Sequence, residues 1–255
     1  MVRMDDEMNI SENSIALQRL LQCPLDVTFY NSQMGATYFM RHAGWVAPTG
    51  VKGSKGKYEA AFVMSPKHEK TFGLHENVAV FDYKSLYPSM MAARNISWET
   101  KNVDRAGHFY DIDFSVPKTL TFWESQSTDV EFAVEPLGVL PKAVLSLMEL
   151  RDSYKKKMRE AETDEEYRKW HSAQMATKRV VNAFYGVLAK DGFGWGDMEM
   201  AAAITASARE AMRAIGFKAR EFGYEVIYGH TDSIFVKVRD VEDAKQLCIR
   251  LNDYV

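Results

Sequence analysis

The stretch NVAVFDYKSLYPS, residues Asn77–Ser89, decides how the chain reads. Its short apolar run, Val78-Ala79-Val80-Phe81, has the length and β-branched content of a buried strand. The run stops at a carboxylate, Asp82. Pro88 has no N–H for a ladder, so the strand gives way to a turn or a helix start. A strand end is a stiff mount, which a metal-binding carboxylate needs. The same residues also read as a buried strand with a solvated Asp at its edge. This segment alone leaves both readings open.

The 255 residues suffice for one large domain or two modest ones. Apolar content of 46% and charged content of 26% are ordinary for a globular protein. No apolar run approaches the ~20 residues of a membrane span, and MVRMDDEMNI lacks a signal-peptide pattern, so no membrane partner is expected. Cys23 and Cys248 stand alone, which points away from structural zinc and toward a reducing, cytoplasmic setting. A net charge of −3 excludes a wholly basic nucleic-acid binder. Charge is nevertheless uneven. Arg41–Lys70 holds six Lys/Arg against two acids, and Arg151–Arg179 nine against six. Such patches fit a polyanion at one face, or ordinary solvated helix faces.

Along the chain, Ser11 is placed to cap a short helix to Leu21 that Pro24 ends. PTGVKGSKGK (Pro48–Lys57) is a Gly/Lys loop, and Tyr58–Met64 a candidate strand. Asp111-Ile112-Asp113 reads as a strand with outward acids, and residues 115–135 as irregular or β. Pro141 starts a long helix to about Glu162. The capping box at Thr163–Glu166 starts a second, to about Tyr185, and the tight connection predicts an antiparallel helical hairpin. Gly186 and KDGFGWG (Lys190–Gly196) break the pattern. Asp197 caps an Ala-rich third helix. Glu225–Tyr228 and Ser233–Val238 form a β-hairpin turning at Gly229–Asp232, and Asp240 caps a last helix.

Arg151 and Lys155 lie four apart, on one helix face, and Lys178, Asn182 and Tyr185 share another. Facing together, they would present cations for phosphates and a ring for a base or sugar. Apart, each is a solvated face. If the strands bearing Asp82 and Asp232 pair in one sheet, both carboxylates reach one edge. Two close carboxylates repel unless a cation sits between them, and Asp oxygens plus substrate phosphates are the usual Mg²⁺ environment. That is a layout for phosphoryl or nucleotidyl transfer.

On these residues the sequence resembles family B DNA polymerases of viral or archaeal type. Asp82–Ser89 is similar to the motif DxxSLYPS, Lys178–Gly186 to KxxxNSxYG, and Tyr228–Ser233 to YxDTDS. Arg151 and Lys155 match basic positions of the first fingers helix, and Tyr58-Glu59-Ala60-Ala61 resembles the family's YxGG element. The resemblance implies an α+β fold: an antiparallel-sheet palm with packed helices, plus an antiparallel two-helix fingers hairpin. The expected division is a helical or linker segment at 1–57, palm at 58–140 and 187–255, and fingers at 141–186. It implies transfer of a nucleotide from a deoxynucleoside triphosphate (dNTP) to a primer 3′-hydroxyl, with two Mg²⁺ ions, or Mn²⁺, as cofactors. Asp82, the Tyr83 carbonyl and Asp232 would be metal ligands. Arg151, Lys155, Lys178 and Asn182 would hold the triphosphate, with Lys178 a proton donor to pyrophosphate. Ser85 and Leu86 would offer it amides, Tyr87 would reject a 2′-hydroxyl, and Tyr185 would border the nascent base pair. Implied partners are primer-template DNA, dNTPs and a separate thumb-bearing chain or processivity factor.

The sequence departs from the pattern at His230, where the family has Asp, at Ala183 for Ser, and at Ala60-Ala61 for Gly-Gly. Exonuclease motifs before Tyr58 and a thumb after the third motif are expected to be absent, so the chain reads as a palm-and-fingers piece. Two further readings stay open. One is a polymerase-like module that binds primer-template or a partner without turnover. The other is a different two-metal enzyme such as a nuclease, which would need neither a triphosphate clamp nor a sugar gate.

Overall fold

A computed structural model describes residues 10–42, 44, 58–64, 73–101, 109–111, 130–190 and 194–254. The Gly/Lys loop at 48–57, Ile112 and Asp113, most of 115–135 and part of the 190–196 loop lie outside the described residues.

Helix α1 (Ile10–Leu21) leads through a 3-10 turn (Leu25–Phe29) to α2 (Asn31–His42). Strand β1 (Val78–Asp82) and α3 (Leu86–Ala93) follow, then the short strands β2 (Phe109–Asp111) and β3 (Glu131–Ala133). The long helices α4 (Val139–Arg159), α5 (Asp164–Leu188) and α6 (Met198–Glu221) come next, then β4 (Glu225–His230), β5 (Ser233–Lys237) and α7 (Val241–Asn252). The class is α+β: helices dominate, around an antiparallel sheet of order β1-β5-β4. β2 and β3 pair separately.

The register decides where the acids go. Asp82 pairs with Ser233, and His230 pairs with the same Ser233 across the hairpin. The carboxylate-bearing end of β1 therefore lies beside the β4–β5 turn. That turn is only Thr231-Asp232, with Thr231 at φ +54, and not the four residues Gly229–Asp232 expected. β1 is also not the buried strand its apolar run suggests. It is an edge strand paired on one side, and Val80 is 56% exposed. Of the candidate strand Tyr58–Met64, only an isolated bridge from Val63 to His230 appears.

Helix ends follow local chemistry. Asp197 and Asp240 each accept an N–H three residues on, from Met200 and Asp243. Thr163 Oγ1 accepts from the Glu166 N–H at 3.2 Å, and Glu166 Oε2 accepts from the Glu162 N–H at 3.1 Å. Ser11 lies inside α1 rather than capping it. α5 continues through Gly186 to Leu188, contrary to the expected break. Val187 and Leu188 are fully buried, and burying such side chains at ~1.5–3 kcal/mol each outweighs the glycine penalty of ~1 kcal/mol.

The start of α4 is capped from a distance. Asn95 Oδ1 accepts from the Gly138 N–H at 2.7 Å, Ser97 Oγ from the Leu140 N–H at 3.2 Å, and Glu99 from the Val139 N–H. A Cβ on Gly138 would meet Ser97 Cβ at 2.5 Å, so the close approach requires glycine. α4 and α5 pack along each other in opposite directions: Tyr154 stacks on Trp170, and Arg151, one turn back along α4, donates to Gln174, one turn forward along α5.

Two apolar cores result. One gathers α1, α2, α4 and α5 around Phe39, Phe132 and Phe184. The other sandwiches the sheet against α6 and α7 through Met212, Val236 and Leu247. Tyr87 packs against both, so its place depends on how the two cores meet.

Candidate active site

Two backbone elements bring the acids together. The Tyr83 N–H donates to the Asp232 carbonyl at 2.7 Å, and Ser233 Oγ donates to Asp82 Oδ1 at 2.7 Å. These bonds join the end of β1 to the β4–β5 turn and orient the Asp82 carboxylate. Among the described residues no group of three or more His, Cys, Asp or Glu stands ready for a metal. A cation held here would take Asp82, Asp232 and the Tyr83 carbonyl, with water and substrate phosphates completing its shell. Such a hard oxygen set fits Mg²⁺.

Next along the chain, Ser85 adopts the left-handed conformation (φ 56, ψ 50), and α3 begins at Leu86 without a side-chain cap. A non-glycine residue there costs about 1–2 kcal/mol, strain of a kind that clusters at functional sites. The uncapped turn leaves the helix N-terminus electropositive and able to receive an anion.

Opposite stand the long helices. Arg151 and Lys155 of α4 and Lys178 and Asn182 of α5 line the same cavity as the acids. Burial, then the neighbouring charges of Arg151, Lys84 and Lys178, pulls the Lys155 ammonium below its usual range, against the opposing pull of Asp152. The cations are thus close enough to repel each other, a cost that a polyphosphate would relieve.

The third wall is aromatic. The Tyr87 and Tyr185 rings lie 4.4 Å apart, and the Tyr58 and Tyr185 hydroxyls are 3.2 Å apart. Burial pushes the Tyr87 phenol up, and the charges of Tyr58 and Asp232 add to it. Burial and the Tyr58 hydrogen bond push Tyr185 up further. Both hydroxyls therefore stay protonated at neutral pH. Behind them Arg209, 3% exposed, donates to the carbonyls of Glu59 at 2.6 Å and Ala60 at 2.7 Å, and lies 3.2 Å from the Glu59 carboxylate. It anchors the segment that carries Tyr58.

One cavity of about 650 Å³ joins these walls, within the range of small-molecule sites. Every site residue named from the sequence lines it: Asp82, Tyr83, Ser85, Leu86, Tyr87, Arg151, Lys155, Lys178, Asn182, Tyr185 and Asp232. Lys84, Pro88, Met148, Val181 and Thr231 line it too and are not among the site residues named from the sequence; Tyr58, read there only as part of the YxGG-like element, meets Tyr185 127 residues away. Lys84 had one available signal, a cation between Asp82 and Ser85.

A family profile described as DNA polymerase family B matches residues 37–255. The chain belongs to DNA polymerase family B. DNA polymerase 2 of Aeropyrum pernix is 33% identical over 80% of the chain, and the DNA polymerase of Paramecium bursaria Chlorella virus NY2A 32% identical over 74%. The chain spans 24% and 21% of those two relatives' lengths. The solved structure of the family B DNA polymerase from Pyrobaculum calidifontis is similar, with a TM-score of 0.70 at 28% identity, covering 96% of this chain and 31% of that one.

Within this family B chain, the departures from the motifs now have positions. His230 ends β4, its Nδ1 3.1 Å from Thr231 Oγ1, and it does not line the cavity. Ala183 is buried at 2% exposure, where a hydroxyl would need a partner. Ala60 offers its carbonyl to Arg209. No helix among the described residues is long and apolar enough to cross a membrane.

Proposed function

We propose that this chain performs template-directed DNA synthesis, adding a deoxynucleotide from a dNTP to a primer 3′-hydroxyl, as the catalytic core of a larger assembly. One observation carries the reading. A single cavity joins two strand-end carboxylates to a face of cations on facing helices, with a tyrosine pair between. Family membership supports it.

Asp82, the Tyr83 carbonyl and Asp232 would hold divalent metal ions, Mg²⁺ or Mn²⁺. Bound there, such ions supply activation of the 3′-hydroxyl and charge neutralisation at the leaving pyrophosphate. Arg151, Lys155 and Lys178 hold the triphosphate, and Lys178 donates a proton to the departing pyrophosphate. Asn182 and the amides of Ser85 and Leu86 fix its orientation. Tyr87 lies under the sugar and excludes a 2′-hydroxyl, and Tyr185 borders the nascent base pair. The sheet with α3, α6 and α7 is the palm, and α4–α5 the fingers. Primer-template DNA is the partner, with a thumb-bearing chain or processivity factor as a further one.

Primer extension with dNTPs and Mg²⁺ or Mn²⁺, for this chain alone and joined by the remainder of the polymerase, tests the reading. Extension that disappears in Asp82→Ala and in Asp232→Ala is expected. Tight primer-template binding with no extension under either metal, in the completed polymerase, would leave only the binding-module reading.

A further inference from the structure

Lys84 sits in the first motif at a position the proposed mechanism does not use, yet it lines the cavity with Arg151, Lys155 and Lys178. Its charge is one of those that depress Lys155, which places it in the same field as the other three cations. Its ammonium is held by Asp152 of α4 at 2.8 Å. Asp152 does not line the cavity, but Lys84, Lys155 and Arg151 all act on its carboxyl and hold it below the usual range, the Lys84 hydrogen bond most of all. Asp152 is thus paired with Lys84 and feels the charge of Lys155 and Arg151 beside it. The pair also ties the β1–α3 junction to α4, the two sides of the cavity.

We propose that Lys84 is a fourth binding cation for the triphosphate and that Asp152 is its internal competitor, a carboxylate that holds Lys84 until the polyphosphate displaces it. The inference rests on the dNTP-site reading above. Three features support it. The pair is half-exposed, 64% and 50% at the two side chains, so it exchanges readily and contributes little to stability. A lysine ammonium is a mobile point charge on a flexible stem, suited to leaving one anion for another. A triphosphate offers more negative charge than one carboxylate, so the exchange runs toward substrate.

The two partners should therefore act with opposite signs. Lys84→Ala removes a charge-assisted contact and should weaken polyphosphate binding about tenfold. Asp152→Asn removes the competitor and should tighten it about two- to fivefold, the range of an exposed pair. Lys84→Arg should restore most of the loss. A purely structural tie predicts otherwise, since breaking it from either side would move binding in the same direction.

The experiment is calorimetric titration of inorganic tripolyphosphate with Mg²⁺ into the wild-type chain, these three variants, and Lys178→Ala and Arg151→Ala as site controls, with thermal unfolding as a folding check. Opposite shifts in Lys84→Ala and Asp152→Asn, with Lys84→Arg near wild type, establish the proposal. Wild-type binding that is unchanged in Lys84→Ala, or shifted the same way in both, overturns it and leaves the dNTP site standing. Failure of the wild type to bind, or binding untouched by Lys178→Ala and Arg151→Ala, overturns the dNTP-site reading as well.

Discussion

Asn95→Ala should destabilise the fold far more than its size suggests. Asn95 is 3% exposed and stands in the left-handed region at φ 49. Its Nδ2 donates to the carbonyls of Ala133 at 2.6 Å, Pro136 at 3.1 Å and Val134 at 3.2 Å, while Oδ1 accepts from the Gly138 N–H. Alanine strands the buried Gly138 N–H and Ala133 carbonyl, at about 1–3 kcal/mol each. It also adds about 1 kcal/mol for a left-handed residue without a local hydrogen bond. The expected loss is about 4 kcal/mol, or about 12 °C in Tm for a chain of this size. Asn95→Asp keeps the acceptor and the tolerance for that backbone but turns a buried carboxylate oxygen toward three carbonyl oxygens, and should lose at least as much as alanine. Calorimetric unfolding of the three proteins measures it. A Tm for Asn95→Ala within about 2 °C of wild type would refute the idea that this side chain ties α4 to the sheet-bearing half.

Further outcomes follow from single contacts. With Tyr87 in its proposed place beneath the sugar, Tyr87→Ala should lower discrimination against ribonucleotides in single-nucleotide insertion at least about tenfold; unchanged discrimination would remove the gate assignment. Asp243 accepts from the Arg239 side chain, the Arg239 N–H and the Tyr224 hydroxyl, which together hold its carboxyl well below the usual range. Because the folded-state value is depressed, this stabilisation is complete above the unfolded carboxyl range near pH 4 and fades as pH falls through the folded value. Asp243→Asn should therefore flatten the acid side of a Tm-versus-pH profile, and a parallel profile would count against the cluster.

What could be read from the sequence was what local chemistry writes. Asp197 and Asp240 cap their helices because the bond spans three residues. Asp82 and Asp232 share one sheet edge only if their strands pair, a condition the sequence leaves open and the β1–β5 register meets. The faces of Arg151–Lys155 and Lys178–Asn182–Tyr185 follow from helical spacing. The illegible parts depend on partners far along the chain. Asn95 serves residues 38 to 43 positions away, and Tyr58 meets Tyr185 across 127. No local pattern encodes either. β1 looked buried because apolar content does not distinguish an edge strand from a central one. Gly186 looked like a break because its propensity is local, whereas the burial of Val187 and Leu188 is not.

In the proposed function, Asp82 and Asp232 form one metal site that also receives a triphosphate. Anomalous diffraction from crystals soaked with Mn²⁺ and a non-hydrolysable dNTP tests it most directly. Mn²⁺ peaks bounded by Asp82, the Tyr83 carbonyl and Asp232 are expected, with phosphates reaching Arg151, Lys155 and Lys178. Mn²⁺ and nucleotide bound elsewhere, with both carboxylates free of metal, would contradict it.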